Sequence, residues 1–386
     1  MVAVDRRACS VAGWVVSWSP QQDAAIKAVA AWMADQRRKP VFRLFGYAGT
    51  GKTTLAKEFA KSVKGTVLYA TFTGKAALQL RKKGCDDAST IHSLIYKVDV
   101  CNVTGDAKFK LNKDSALATA ALLIVDEVSM VDDDLAHDLL SFGVPILVLG
   151  DPAQLPPVKG EGYFINCAPE VMLTEVHRQA QDNPIIRLSM DIREGNKLAR
   201  GQYGESLVAA REDMGSDQLR ELVLGADQLL CGLNRTRTSF NQRIRALKGL
   251  EGKRAIWHPT AGDRLICLRN NRDKALFNGG LWDAVTVEDK FGRFDIWVDS
   301  LDEKRDIVGV QVLDEFFNGT EKTLDWRRRR DHHEFTFGWA ITCHKSQGSQ
   351  WDNVIVFDES GSFRESQRNW LYTAITRAAE RVTVIV

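Results

Sequence analysis

The stretch "VFRLFGYAGTGKTTLAKEFA", Val41 to Ala60, leaves this chain little freedom. The largely apolar segment Val41 to Phe45 runs directly into the pattern G-x-x-x-x-G-K-[ST], met by Gly46, Gly51, Lys52 and Thr53, and a helical pattern follows at once. A buried strand, a glycine-rich turn and a helix start in that order predict one edge of a parallel α/β sheet. Gly46, Gly49 and Gly51 let backbone N–H groups curl around phosphate oxygens, and the helix N-terminus adds its partial positive charge. Lys52 is spaced to reach the β- and γ-phosphates, Thr53 to ligate Mg²⁺, and Thr54 to line the same turn.

A nucleoside triphosphate site of this kind needs acidic residues at the end of a second buried strand. "ALLIVDEVSM", Ala121 to Met130, supplies them: Asp126 is a candidate Mg²⁺ ligand and Glu127 a candidate for polarising the attacking water. An exposed acidic turn would not account for two carboxylates placed where an apolar run stops. "PILVLGDPAQLPPV", Pro145 to Val158, reads as a third buried strand followed by a polar loop with Gly150, Asp151 and Gln154. Such loops at the carboxyl edge of a parallel sheet carry ligand contacts, which makes Gln154 a candidate γ-phosphate sensor. ATP and Mg²⁺ are the expected cofactors.

Charge does not identify a partner, because 52 Lys and Arg nearly balance 50 Asp and Glu. Nucleic acid would have to bind in a local groove. Seven scattered cysteines form no CxxC pair and no zinc spacing, and read as reduced thiols in a cytosolic chain. The apolar part of "MVAVDRRACSVAGWVVSWSP" is broken by Gly13, Trp14 and Ser17, so no membrane span is expected there.

With these residues in hand, the chain resembles the superfamily 1 helicases, specifically their RecD and Dda branch. The motifs run in family order from about Gln22 to Arg377, nearly the whole chain. The resemblance implies that Gln22, in "SPQQDAAI", reads adenine. It places Thr73, Gly74 and Lys75 of "TFTGKAALQL", and Thr90 and His92 of "ASTIHSL", near single-stranded DNA. Arg178 in "LTEVHRQ" and Arg377 in "LYTAITRA" would reach across to the γ-phosphate. "TCHKSQG" would set Thr342 and His344, with neighbouring Lys345, on the DNA backbone while its other residues approach the nucleotide. Gln350 stands where RecD members usually carry a glutamate that bonds the ribose, and an amide can still bond a hydroxyl.

The resulting expectation is an α/β fold of two RecA-like parallel-sheet motor domains, with a β-hairpin inserted in the first and an SH3-like β-barrel in the second. The expected bounds are an N-terminal extension over 1–20, a first domain over 21–165, a second over 166–257 and 335–386, and the barrel over 258–334. The segment 95–113 alternates in character around Thr104, Gly105 and Asp106, a hairpin signal. Family likeness makes it a wedge at the duplex junction, with Phe109 a candidate tip. The run Arg327 to Arg330 reads first as a solvated face and second as a phosphate contact.

The implied function is an ATP-dependent DNA helicase and translocase, moving 5′ to 3′ on single-stranded DNA as a monomeric motor and acting at duplex junctions. A cytoplasmic setting follows, nucleoid-associated or in a viral replication complex, with replication or recombination proteins as partners. A switch-like or clamp-like P-loop ATPase and an RNA helicase are the alternatives.

Overall fold

The computed structural model describes residues 10–11, 14–15, 18–100, 107–157, 162–176, 182–252, 254–271 and 273–386. Arg178 lies outside the described residues, as do Cys9, Cys101 and the turn Thr104 to Asp106.

The first sheet has six strands in the order Val171–Leu173, Val41–Gly46, Ile146–Gly150, Leu122–Asp126, Val67–Thr71 and Ser89–Thr90, and every pairing is parallel. Its central strands read as largely apolar runs because both faces are covered. Phe42, Leu44, Leu122, Ile124, Leu147 and Leu149 pack under the helices Pro20–Ala34 and Lys52–Ser62. The alternate residues Val41, Phe45, Leu123, Val125, Ile146 and Val148 pack under Ile91–Ile95 and Asp133–Leu140, as the two-residue period of a strand requires. Helix Pro20–Ala34 starts sharply: Ser19 and Gln22 form a reciprocal capping box and Pro20 fills the first turn.

The second sheet also has six strands, ordered Gly201–Tyr203, Ser206–Ala209, Ala378–Ile385, Trp351–Phe357, Gln228–Cys231 and Ala340–Thr342. All its pairings are parallel except the edge hairpin of Gly201–Tyr203 with Ser206–Ala209. Helices Pro184–Glu194 and Gln367–Ile375 cover one face through Ile185, Leu188, Trp370 and Tyr372. Helix Asn234–Leu247 covers the other through Ile244.

A third sheet, wholly antiparallel, interrupts the second. Its five strands run in the order Val308–Leu313, Arg293–Ser300, Leu281–Lys290, Arg264–Cys267 and Phe335–Phe337. The two edges meet: the His333 N–H donates to Gln311 O at 2.7 Å, and Gln311 N–H donates to His333 Nδ1 at 3.1 Å. The sheet is rooted by fully buried Arg245, which bonds both oxygens of Asp263 (2.7 and 3.0 Å) and the carbonyls of Leu250, Ile256 and His258. A smaller antiparallel pair joins Tyr96–Val100 to Ala107–Leu111.

Two expected boundaries move. Val171–Leu173 hydrogen-bonds to Val41–Gly46, so the first sheet continues past residue 165. Phe335–Phe337 pairs with Arg264–Cys267, so the antiparallel sheet claims residues past 334 and the second parallel sheet resumes at Ala340. Three-residue strands carry too little pattern to reveal which sheet recruits them. Among the described residues no helix is long and apolar enough to cross a membrane, and Cys85, Cys167, Cys231, Cys267 and Cys343 are free thiols.

Candidate functional site

The strand Val41–Gly46 ends in a loop whose shape needs glycine. Gly49 (φ 78°) and Gly51 (φ 82°) lie in the left-handed region, and a Cβ on Gly51 would meet Gln22 Nε2 at 2.8 Å. Lys52 clamps the loop from inside, donating to Gly46 O at 2.6 Å and Tyr47 O at 3.1 Å. Thr54 lies at the mouth of the loop, beside Thr50, Thr53 and Lys57. Gln22 abuts the loop and is 5% exposed, its amide bonded at both ends: Oε1 accepts from Ser19 N–H (3.0 Å) and Nε2 donates to Thr50 O (3.1 Å). In this arrangement it buttresses the phosphate loop.

Facing the loop across the sheet edge, Thr53 Oγ1 donates to Asp126 Oδ2 at 3.2 Å. Burial, and then the neighbouring Glu127 charge, push the Asp126 carboxyl above the usual range. A hydroxyl and a carboxylate side by side are the hard oxygen donors that suit Mg²⁺. Glu127 sits at φ 55°, a left-handed backbone rare for a residue with a side chain and strained in the manner of functional turns.

The cleft between the two parallel sheets is lined by Lys52, Thr53, Asp126, Glu127, Asp151 and Gln154 from one side. Gly348, Ser349, Gln350 and Arg377 line it from the other. Gln154 is nearly buried, and its Oε1 lacks a hydrogen-bond partner, an orphaned acceptor in a polar cleft. Arg377, 5% exposed, is aligned by its own domain: Nε donates to Thr373 O at 3.1 Å and Nη1 to Ser349 O at 3.3 Å. The two halves are stitched at the loop after Gly150, where Leu155 N–H donates to Thr373 Oγ1 (2.8 Å) and Gln347 donates to Leu155 O (3.0 Å).

On the opposite side of the Thr342 to Gln350 segment runs a long groove. Thr73, Gly74, Thr90, His92, Phe109, His344, Lys345 and Gln347 all line it, together with Asn270, Phe277 and Asn278 of the antiparallel sheet's loops. Thr73 and Thr90 cap the helices that follow them, their Oγ1 atoms each accepting an N–H at 3.1 Å. Phe109 is 65% exposed, its ring 6.3 Å from His92. Burial lowers the affinity of His92, His344 and Lys345 for protons, and Lys345 Nζ donates to Asn278 Oδ1 at 2.9 Å.

Two expected groove residues are otherwise engaged. Thr342 is the buried last residue of its strand, paired with Cys231, and the groove begins beyond it at His344. Lys75 borders the groove, but its side chain is 3% exposed, with the ammonium ion-paired with Asp302 Oδ1 at 3.1 Å and 4.5 Å from the Trp351 ring centroid. The pair is close without being an aligned hydrogen bond, and burial depresses the Lys75 pKa despite Asp302. The long side chain turns inward because the antiparallel sheet docks on this helix, with Phe277 so near Gly74 that a Cβ there would lie 2.8 Å from its ring. Asp302, Phe277 and Asn278 escape sequence reasoning, since nothing local ties a loop near residue 300 to a helix near residue 75.

Comparison with known proteins agrees with this arrangement. A model described as an AAA domain matches residues 17–209, and one described as a UvrD-like helicase C-terminal domain matches 337–385. The ATP-dependent RecD2 DNA helicase of Deinococcus radiodurans is 31% identical over 358 residues, 88% of this chain and 46% of that protein. The ATP-dependent DNA helicase dda of Enterobacteria phage T4 is 36% identical over 181 residues, 42% of this chain and 40% of its own. This chain therefore spans less than half the length of either relative. The crystal structure of Bacteroides Pif1 bound to ssDNA superposes with a TM-score of 0.55 at 19% identity, covering 95% of this chain and 92% of that one, a likeness of fold. A phosphate loop at the edge of a parallel, RecA-like sheet, faced by a second, largely parallel sheet, defines the class. The chain belongs to the superfamily 1 helicases, in their RecD- and Dda-like branch.

Proposed function

We propose that this chain is an ATP-driven DNA motor, which hydrolyses ATP in the cleft, moves 5′ to 3′ along single-stranded DNA held in the groove, and separates duplex at a junction. One observation carries the reading: the segment His344 to Gln350 is shared by both sites. His344, Lys345 and Gln347 face the groove, Gly348 and Gln350 face the cleft, and Ser349 borders both. A shift of that short segment with nucleotide state changes the grip on a bound strand, which is the elementary requirement of a translocase.

In this reading Lys52 and the loop N–H groups hold the phosphates, Glu127 orients the attacking water, Gln154 contacts the γ-phosphate, and Arg377 offsets charge on the equatorial oxygens. Thr53 and Asp126 would hold Mg²⁺, which when bound offsets negative charge on the phosphates. Arg178 is assigned the second cationic role by its motif alone. The antiparallel sheet, its edges joined at His333, is read as an SH3-like barrel that roofs the groove. The Tyr96–Val100 and Ala107–Leu111 pair is read as the wedge, with Phe109 meeting the first base pair.

The test is steady-state ATP hydrolysis with no nucleic acid, with single-stranded DNA, and with RNA of matched sequence. Strong stimulation by DNA is expected. Equal rates in all three would replace the motor with a switch-like ATPase, and stimulation by RNA alone would reassign the substrate.

A further inference from the structure

The second sheet touches the phosphate loop itself, at two consecutive residues. Tyr372, on the helix Gln367–Ile375, is 1% exposed. Its hydroxyl accepts the Ala48 N–H at 2.9 Å and donates to Asp151 Oδ2 at 2.8 Å. One residue earlier in the loop, the Tyr47 ring lies under the guanidinium of Arg193, from the helix Pro184–Glu194, at 3.8 Å. Asp151 is itself buried and tethered, its Oδ1 accepting the Ala153 N–H at 3.0 Å. Helix Gln367–Ile375 ends just before Arg377 and also carries Thr373, whose hydroxyl accepts the Leu155 N–H.

Resting on the motor reading above, we propose that Tyr372 is a positioning residue that ties the shape of the phosphate loop to the docking of the second sheet. The chain of contacts runs from a loop N–H through the phenol to the carboxylate beside Gln154. It closes only when the helix that delivers Arg377 is seated. The phenol suits this task because one oxygen both accepts and donates, so a single group holds the loop and Asp151 in register. The separation of the helix from the first sheet breaks both bonds at once and leaves a buried N–H and a buried carboxylate without this partner, which makes the seated state sharply defined. Hydrolysis is thereby confined to the closed arrangement without Tyr372 touching the nucleotide.

Tyr372→Phe keeps the ring and removes the bridge. The full chain is assayed for ATP hydrolysis at saturating single-stranded DNA, alongside Asp151→Asn and the double variant. The expected result is a fall in kcat of about tenfold for Tyr372→Phe with KM for ATP moving less than about twofold, the pattern of an interaction made on the way to the transition state. The double variant should be no slower than the slower single one, because both remove one unit. Unchanged kcat in Tyr372→Phe overturns the proposal, as do losses that multiply in the double variant. A loss confined to KM overturns it too. If Tyr372→Phe unfolds the chain, as read by its thermal midpoint, Arg193→Ala tests the same docking: a kcat loss of at least about threefold at steady KM supports it, and no loss overturns it. A wild-type chain with no DNA-stimulated hydrolysis would instead defeat the motor reading, and this proposal with it.

Discussion

The nucleotide cleft and the groove lie a few residues apart, yet they are held by different means. In the cleft, the phosphate loop is shaped by glycine dihedrals and by Lys52 on its own carbonyls, and Thr53 bonds Asp126 within one sheet. The groove's outer wall is held by side chains reaching between separate sheets: Lys75 to Asp302, Lys345 to Asn278, Phe277 against Gly74. The second sheet's ties to the loop, from Tyr372 and Arg193, share no residue with the ties of the groove wall. The two sites should therefore fail separately.

The largest expected effect breaks the cleft alone. Lys52→Ala removes the charge that gathers the phosphates and should lower kcat on the order of 1000-fold. Strand affinity, measured by anisotropy of a labelled oligonucleotide without nucleotide, should stay within about twofold, because Lys52 lines no part of the groove. Loss of strand binding as well would show the two sites to be one.

Asp302→Asn attacks the wall instead. It leaves the Lys75 ammonium buried without its counter-charge, a change that costs about 3 kcal/mol where a buried pair loses one partner. Thermal unfolding should drop, and limited proteolysis should reach the antiparallel sheet sooner, while the ATP KM holds. If stability and strand affinity are untouched, the pair contributes nothing to the wall. Phe109→Ala sharpens the comparison further, since half-open aromatic contacts to bases are worth about 1–3 kcal/mol each. Unwinding of a tailed duplex should slow about fivefold, with single-strand translocation unchanged; equal loss in both assays would remove Phe109 from the wedge.

What could be read beforehand follows the same division. Phosphate geometry imposes fixed spacings, so Gly46 to Thr53 announce themselves, Asp126 follows from its place at the end of an apolar run, Gln154 rests on the family resemblance, and the strands Val41–Gly46, Leu122–Asp126 and Ile146–Gly150 stand where largely apolar runs predict them. A groove wall imposes no such spacing. The resemblance sets Lys75 near the strand, whereas its ion pair with Asp302 comes from a docking sheet encoded more than two hundred residues away. The resemblance sets Thr342 on the strand, and a three-residue strand, Ala340–Thr342, leaves little pattern to show that this residue is its buried end. Tyr372 stood in plain view within "LYTAITRA", but its role exists only where two sheets meet.

The smallest expected effect concerns how the roof closes on itself. His333 joins the two edges of the antiparallel sheet as a neutral ring, its Nδ1 accepting the Gln311 N–H. Burial, with the cations of Lys274 and Arg269 nearby, pushes its pKa down from 6.5 to about 4. The unfolded chain therefore takes up a proton at this ring near pH 6.5 that the folded chain refuses until about pH 4. The contribution is complete above 6.5 and is lost as pH falls toward 4, so the thermal midpoint should decline over that window. In His333→Asn, which cannot titrate, that part of the slope should vanish at the cost of a lower plateau. An unchanged slope in the variant would place the acid sensitivity elsewhere and leave the edge closure to the backbone bond from His333 N–H to Gln311 O. A reduced slope with unaltered ATP hydrolysis at neutral pH would show that the roof can be loosened without disturbing the cleft.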